Sequence, residues 1–136
     1  MADANDSFVV ELKEAHLNWG QYRNTDSREF IEGEAYIPIP KTYALQYSIF
    51  NSNHNQSGLG YNLFRASSED GYLQNVMLLA QGSSSAGEEY AKQFSVQGNL
   101  QRIGDWYRNQ NARPGDFVRV VWRNPEEVLL TIIHSD

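Results

Sequence analysis

Few side chains in this chain could carry out bond chemistry, and their spacing argues against it. The three histidines, His16, His54 and His134, lie far apart, without the close spacing a zinc site takes from its ligands. There is no cysteine, which excludes a thiolate metal site and a disulfide framework. Glu11-Leu12-Lys13 matches the tail of a metal-nuclease motif, but no Pro-Asp pair stands upstream, and an exposed strand edge is by far the better account of it. No His-x-Lys of the phospholipase-type nucleases occurs. Gly82-Ser83-Ser84-Ser85-Ala86 begins like a nucleophile elbow and ends in alanine where the elbow requires glycine. These patterns imply no catalytic site, no metal and no cofactor. What remains is recognition chemistry, concentrated in two stretches. Residues 15–34 are rich in Asn, Gln, Asp, Arg and Glu, with Trp19, Tyr22 and Phe30 among them, and residues 81–89 are rich in Gly and Ser. Long polar insertions in a compact domain are uncommon and often functional.

The elements that must hold these stretches are mostly short strands. Phe8–Leu12 is the first apolar run. Ala35–Ile39 reads as a strand that Pro38 confines to an edge or end. Pro40 then begins a helix with Tyr43, Ala44 and Tyr47 on one face. Residues 51–60 read as a loop. Tyr61–Ala66 and Tyr72–Ala80 are strands around Asp70-Gly71, a hairpin signal. Tyr90–Val96 returns as a strand, and Asn99 is placed to cap a helix carrying Leu100, Ile103 and Tyr107. Arg113-Pro114-Gly115-Asp116 has the order of a type II turn. Phe117–Trp122 and Val128–Ile133 are the clearest strands, joined at Asn124-Pro125-Glu126. About seven short strands and two short helices predict a mainly β chain: a seven-stranded, partly open barrel.

A length of 136 residues fits one domain, and 40% apolar residues suffice to bury a core. Residues 1–7 are expected to be a disordered start before a single domain over 8–136. That start has no basic region followed by an apolar run, so no signal peptide is predicted, and no stretch is long enough to span a bilayer. The Asn-x-Ser triplets at Asn5 and Asn55 are then chance matches, and a cytoplasmic, nucleoid-associated, prokaryotic setting is expected. A net charge of −6 opposes phosphate binding unless the 11 basic residues gather in space.

The order of elements resembles the DNA-binding pseudobarrel called the B-three domain, known in plant transcription factors and in restriction endonucleases of the EcoRII and NgoFVII kinds. Three stretches carry the likeness. Tyr36-Ile37-Pro38-Ile39-Pro40-Lys41 followed by Ala44 is similar to the family's strand-into-helix segment. Tyr90-Ala91-Lys92-Gln93-Phe94, with Gly98-Asn99-Leu100 and Gly104-Asp105-Trp106, looks like a block of the restriction-enzyme branch. Ala112-Arg113-Pro114-Gly115-Asp116-Phe117-Val118 matches its basic, x, Gly-Asp, hydrophobic approach to the next strand. The likeness runs from about residue 15 to 133.

Family members grip the major groove of DNA with two arms, which the resemblance maps to about Asn18–Arg28 and Gln81–Gln93. In the first, Arg23 and Arg28 offer a guanidinium fork for guanine, against the alternative of solvated surface arginines. Asn18, Gln21 and Asn24 fit adenine, or cap turns. Trp19 and Tyr22 buttress the arm or pack on sugar, with Trp19 partly in the core. In the second, Gln81, Ser83, Ser84 and Ser85 suit close approach to bases or phosphates, or form a flexible loop. Lys92 and Gln93 alternate along a strand, so at most one faces DNA. Lys41 near a helix start and Arg102 near another complete the candidate contacts. Arg108 and Arg113 sit where a helix dipole would favour them. Asp26, Glu29, Glu88 and Glu89 depart from this pattern by placing carboxylates in the arms.

The implied partners are double-stranded DNA and a nuclease domain or subunit, in cis or trans, within a restriction-modification system, with no membrane involved. The implied role is target recognition without catalysis. A protein- or small-ligand-binding barrel is the alternative that the acidic balance favours. A small hydrolase ranks last, for want of a spaced acid–base pair.

Overall fold

In a computed structural model the protein is described over residues 1–17, 34–52, 54–82 and 89–135. Seven strands and three short helices alternate through them. They are β1 (Ser7–Glu11), α1 (Glu14–Leu17), β2 (Ile37–Pro38), α2 (Lys41–Gln46), β3 (Leu63–Ser68), β4 (Val76–Gln81), β5 (Gln93–Val96), α3 (Arg102–Asn109), β6 (Phe117–Asn124) and β7 (Glu127–Ile133). The strands form one sheet in the order β1-β6-β7-β3-β4-β5-β2, curled into a nearly closed barrel. Neighbours are antiparallel except β3 and β7, which run parallel with Ala66 opposite Val128.

Strand alternation builds the interior. Val118, Val120 and Trp122 of β6, Val128 and Leu130 of β7, Phe64 and Ala66 of β3, and Leu78 and Ala80 of β4 are all buried. The aromatic centre is Trp122, with Phe8 at 6.1 Å, Tyr47 at 5.4 Å and Phe64 edge-on at 5.8 Å between ring centroids. Offset and edge-on pairs at these separations are the favourable ones for ring quadrupoles. The indole Nε1 of Trp122 is buried there without a hydrogen-bond partner among the described residues. The start of the chain lies along β6: the Asn5 amide donates to the Trp122 carbonyl at 2.7 Å, and Ala2 is buried.

Several sequence expectations are corrected in detail. Among the described residues there are three short helices rather than two, because a single turn at 14–17 is held by the Lys13 amide donating to His16 Nδ1 at 3.0 Å. Pro40 precedes α2 with ψ at 137°, so it caps the helix rather than opening its first turn. The strand expected over Tyr72–Ala80 starts only at Val76, because the β3–β4 connection is a longer loop. In that loop Leu73 points into the core, and Asp70 accepts from the Tyr72 amide. Asn99 caps the turn before α3, accepting from the Gln101 amide at 3.1 Å, and the helix itself begins at Arg102. The Arg113–Asp116 turn forms as read, with Gly115 at φ 97° and the Asp116 amide bonded to the Arg113 carbonyl. No helix of the described residues is long and apolar enough to cross a membrane.

Candidate functional site

Two necks are formed by the described residues that flank 18–33 and 83–88. The first neck joins Leu17 to Glu34. The Tyr36 amide donates to the His16 carbonyl at 3.2 Å, the Tyr36 hydroxyl donates to the Glu34 carboxylate, and the Tyr107 hydroxyl donates to the Tyr36 carbonyl at 2.7 Å. Leu17 and Glu34 are both buried. Burial, and then Lys13 nearby, lower the pKa of His16, which favours the neutral imidazole that accepts from the Lys13 amide. The second neck joins Gly82 to Glu89. There the Gly82 amide donates to Asn51 Oδ1 at 3.2 Å and the Asn51 amide donates to the Glu89 carbonyl at 2.9 Å. Because β2 is antiparallel to β5, the chain comes in from the first neck on the Val96 side and leaves on the Gln93 side, beside the second neck. From Tyr36 to Ile39 is on the order of 10 Å of extended chain.

Cations stand at both necks. Lys41 and Lys92 line one cleft of about 200 Å³ with Ile39, Tyr90 and Ala91. Its walls are fixed by backbone bonds: the Ile39 amide to the Lys92 carbonyl at 2.8 Å and the Lys92 amide to the Gln81 carbonyl at 2.9 Å. Lys92 lies exposed on this cleft just before β5 begins, and Gln93, the first residue of β5, stands half-buried across from its cross-strand partner Gln81. The Gln81 amide reaches Ser95 Oγ at 3.5 Å. At the first neck, Arg108 and Arg113 line a cleft of about 230 Å³ with Glu14, Leu17 and Tyr107.

Of the contacts expected from sequence, the structure thus gathers Lys41, Gln81, Lys92 and Gln93 at the second neck. Arg102 stands elsewhere. Its guanidinium lies over the Tyr72 ring at 4.8 Å and donates to the Tyr72 carbonyl at 3.3 Å. That loop leads into the Val76 end of β4, the far end of the strand from Gln81. Asn18, Trp19, Gln21, Tyr22, Arg23, Asn24, Arg28, Ser83, Ser84 and Ser85 lie outside the described residues.

Sequence reasoning passed over the residues that close the second neck. Asn51 is 1% exposed, and His54 stacks on Phe50 at 4.2 Å with its Nε2 3.3 Å from Glu89 Oε1. Phe50 also stacks on Tyr90 at 5.6 Å. The signal was the apolar pair Ile49-Phe50 directly before Asn51, which marks a buried start to what reads as a surface loop.

The barrel has a solved counterpart. The N-terminal domain of Helicobacter pylori LlaJI.R1 superposes with a TM-score of 0.52 at 8% identity, over 95% of this chain and 88% of that one. At such identity the likeness is one of fold, and it is consistent with a pseudobarrel. No family model matches the chain. No curated protein matches it either.

Proposed function

We propose that the chain binds double-stranded DNA and reads its sequence through the major groove with two polar arms, as the target-recognition module of a restriction endonuclease or related nuclease system. The observation that carries this reading is the cleft shared by Lys41 and Lys92 at the neck of the second arm. Two cations on a rigid frame suit a backbone phosphate. The fold likeness to a domain of a restriction-system protein supports the setting. In this reading the cut is made by a nuclease domain or subunit in cis or trans.

Selection from randomised duplexes at low salt tests the proposal. A defined sequence is expected to be enriched, with affinity falling steeply as salt rises. Enrichment of no sequence refutes it. The net charge of −6 favours a second reading, a protein- or small-ligand-binding barrel. Capture of a non-nucleic partner with no response to DNA would select that reading instead.

A further inference from the structure

Residues 49–51 run beside 89–91, of which Tyr90 and Ala91 form one wall of the cationic cleft. The Ala91 amide donates to the Ile49 carbonyl at 3.0 Å, Phe50 bridges Tyr90, and the Asn51 amide donates to the Glu89 carbonyl. Any residue with a backbone N–H could make the last bond. The bond from Gly82 is different, because it ends on the Asn51 side-chain oxygen. Asn51 is itself held from behind: Asn62 donates from Nδ2 to the Asn51 carbonyl at 3.3 Å and accepts the Gly58 amide at 2.8 Å. Gly82 in turn lies flush against the cleft. A Cβ built on it would meet Lys92 Cγ at 3.3 Å, the Lys92 nitrogen at 3.4 Å and the Tyr90 carbonyl at 3.5 Å. Gly82 also follows directly on Gln81, whose carbonyl accepts the Lys92 amide at 2.9 Å, so a shift of Gly82 bears on the seat of Lys92.

We propose that Asn51 is a positioning residue for the cationic cleft, its side-chain oxygen fixing Gly82 and thereby the seat of Lys92. The inference rests on the DNA-binding reading for its functional meaning, but the clasp itself is measurable without DNA. Asn51 touches no ligand in this scheme and acts through Lys92. The acceptor is selective for Asn or Asp at this position. A hydrocarbon side chain would leave a backbone donor unpaired in a half-buried place.

Two measurements test it. Amide hydrogen exchange on the free protein is expected to show Asn51→Ala raising exchange at Gly82 and over 89–92 by roughly tenfold or more, with β6 and β7 unchanged. Asn51→Asp, which keeps an acceptor oxygen, is expected to restore protection at Gly82. Uniform loss of protection across the barrel would overturn the proposal. On a mixed-sequence duplex, Asn51→Ala is expected to weaken binding severalfold in the wild-type background and to do nothing further when Lys92→Ala is already present. Equal losses in both backgrounds would overturn it as well. Should the alanine chain fail to fold, Asn51→Ser gives the same pattern at smaller amplitude. Absence of any duplex binding by the wild type would refute the DNA reading, while the exchange pattern still decides the clasp.

Discussion

Removing both lysines of the cleft, Lys41→Ala with Lys92→Ala, gives the sharpest numerical test of the proposed phosphate contact. Binding to duplex DNA releases counterions, and each neutralised phosphate steepens the fall of log affinity against log salt by about 0.9. The two side chains line a single cleft of about 200 Å³. A cleft of that size takes one phosphate, so the double variant should lose a slope of about 0.9 rather than about 1.8. Between 50 and 200 mM salt, one such contact changes affinity by about 3.5-fold. The gap between variant and wild type should close by that factor over the range. Each single variant should show part of the same loss, without summing to twice the double. Fluorescence anisotropy on a labelled duplex across a salt series reads the slope. Both lysines are exposed, so folding stability should move by less than about 0.5 kcal/mol, which denaturant titration checks. A double variant with the full wild-type slope refutes the phosphate contact.

Other outcomes follow from the same geometry. Asp116 is 4% exposed. Burial alone would raise its pKa, but hydrogen bonds from the Ser135 and Arg113 amides and from His134 outweigh it and hold the carboxyl at about 2. A lowered folded pKa stabilises above the unfolded value near 3.8 and is lost as pH falls through 2. With allowance for screening at a surface turn, the stability gap between wild type and Asp116→Asn should shrink by roughly 1–2 kcal/mol from pH 6 down to pH 2. A pH-independent gap in denaturant melts would contradict this. Trp106→Phe deletes the Nε1 bond to Asp70 at 2.8 Å and leaves part of a fully buried ring's space unfilled, so it should destabilise by about 1–3 kcal/mol in thermal melts, with duplex affinity unchanged. Arg102→Ala loses the stack on Tyr72, so it should lower stability by about 0.5–1 kcal/mol and leave duplex affinity unchanged; weaker DNA binding would restore Arg102 to the interface. If Arg23 and Arg28 read bases, alanine at each should weaken binding to the selected site by roughly 1–3 kcal/mol, measured by anisotropy; unchanged affinity in both removes the first arm from the proposal.

Sequence reading reached furthest where one physical signal dominated. The alternation of Val118, Val120 and Trp122, the Pro125 turn and the Gly115 turn declared β6, β7 and their junctions almost to the residue. The stripe Tyr43, Ala44 and Tyr47 declared α2 equally well, since Ala44 and Tyr47 are buried and Tyr43 stacks on Phe8 at 5.4 Å. It failed where apolar residues serve a loop. Leu73 fills the core and Tyr72 supports Arg102 from outside any strand, so the run before Ala80 looked continuous. It also failed where a polar residue is used twice. Asp116 was legible as a turn residue, but its bonds to His134 and Ser135 join positions far along the chain. Asn51 was hidden for the same reason, its partner Gly82 being remote in sequence. Within the candidate site, Lys41 was nameable from the helix start after Pro40, and Gln81, Lys92 and Gln93 from the second arm that the resemblance maps. Their convergence was not, because it depends on β2 pairing with β5 across a long crossing of the chain.

The placement of β1 also bears on how the protein is made. Its Phe8 lies opposite Val120, so β1 leaves the ribosome roughly a hundred residues before the strand it pairs with. The β3–β4–β5 meander can assemble during synthesis from neighbouring residues, whereas β7 must emerge before the parallel seam with β3 can form. Until then the nascent chain exposes the edge of β3 and the apolar face of β1, surfaces on which chaperones and unwanted strand partners compete. Slowing translation over residues 97–116 should therefore prolong that exposure and lower the yield of folded protein.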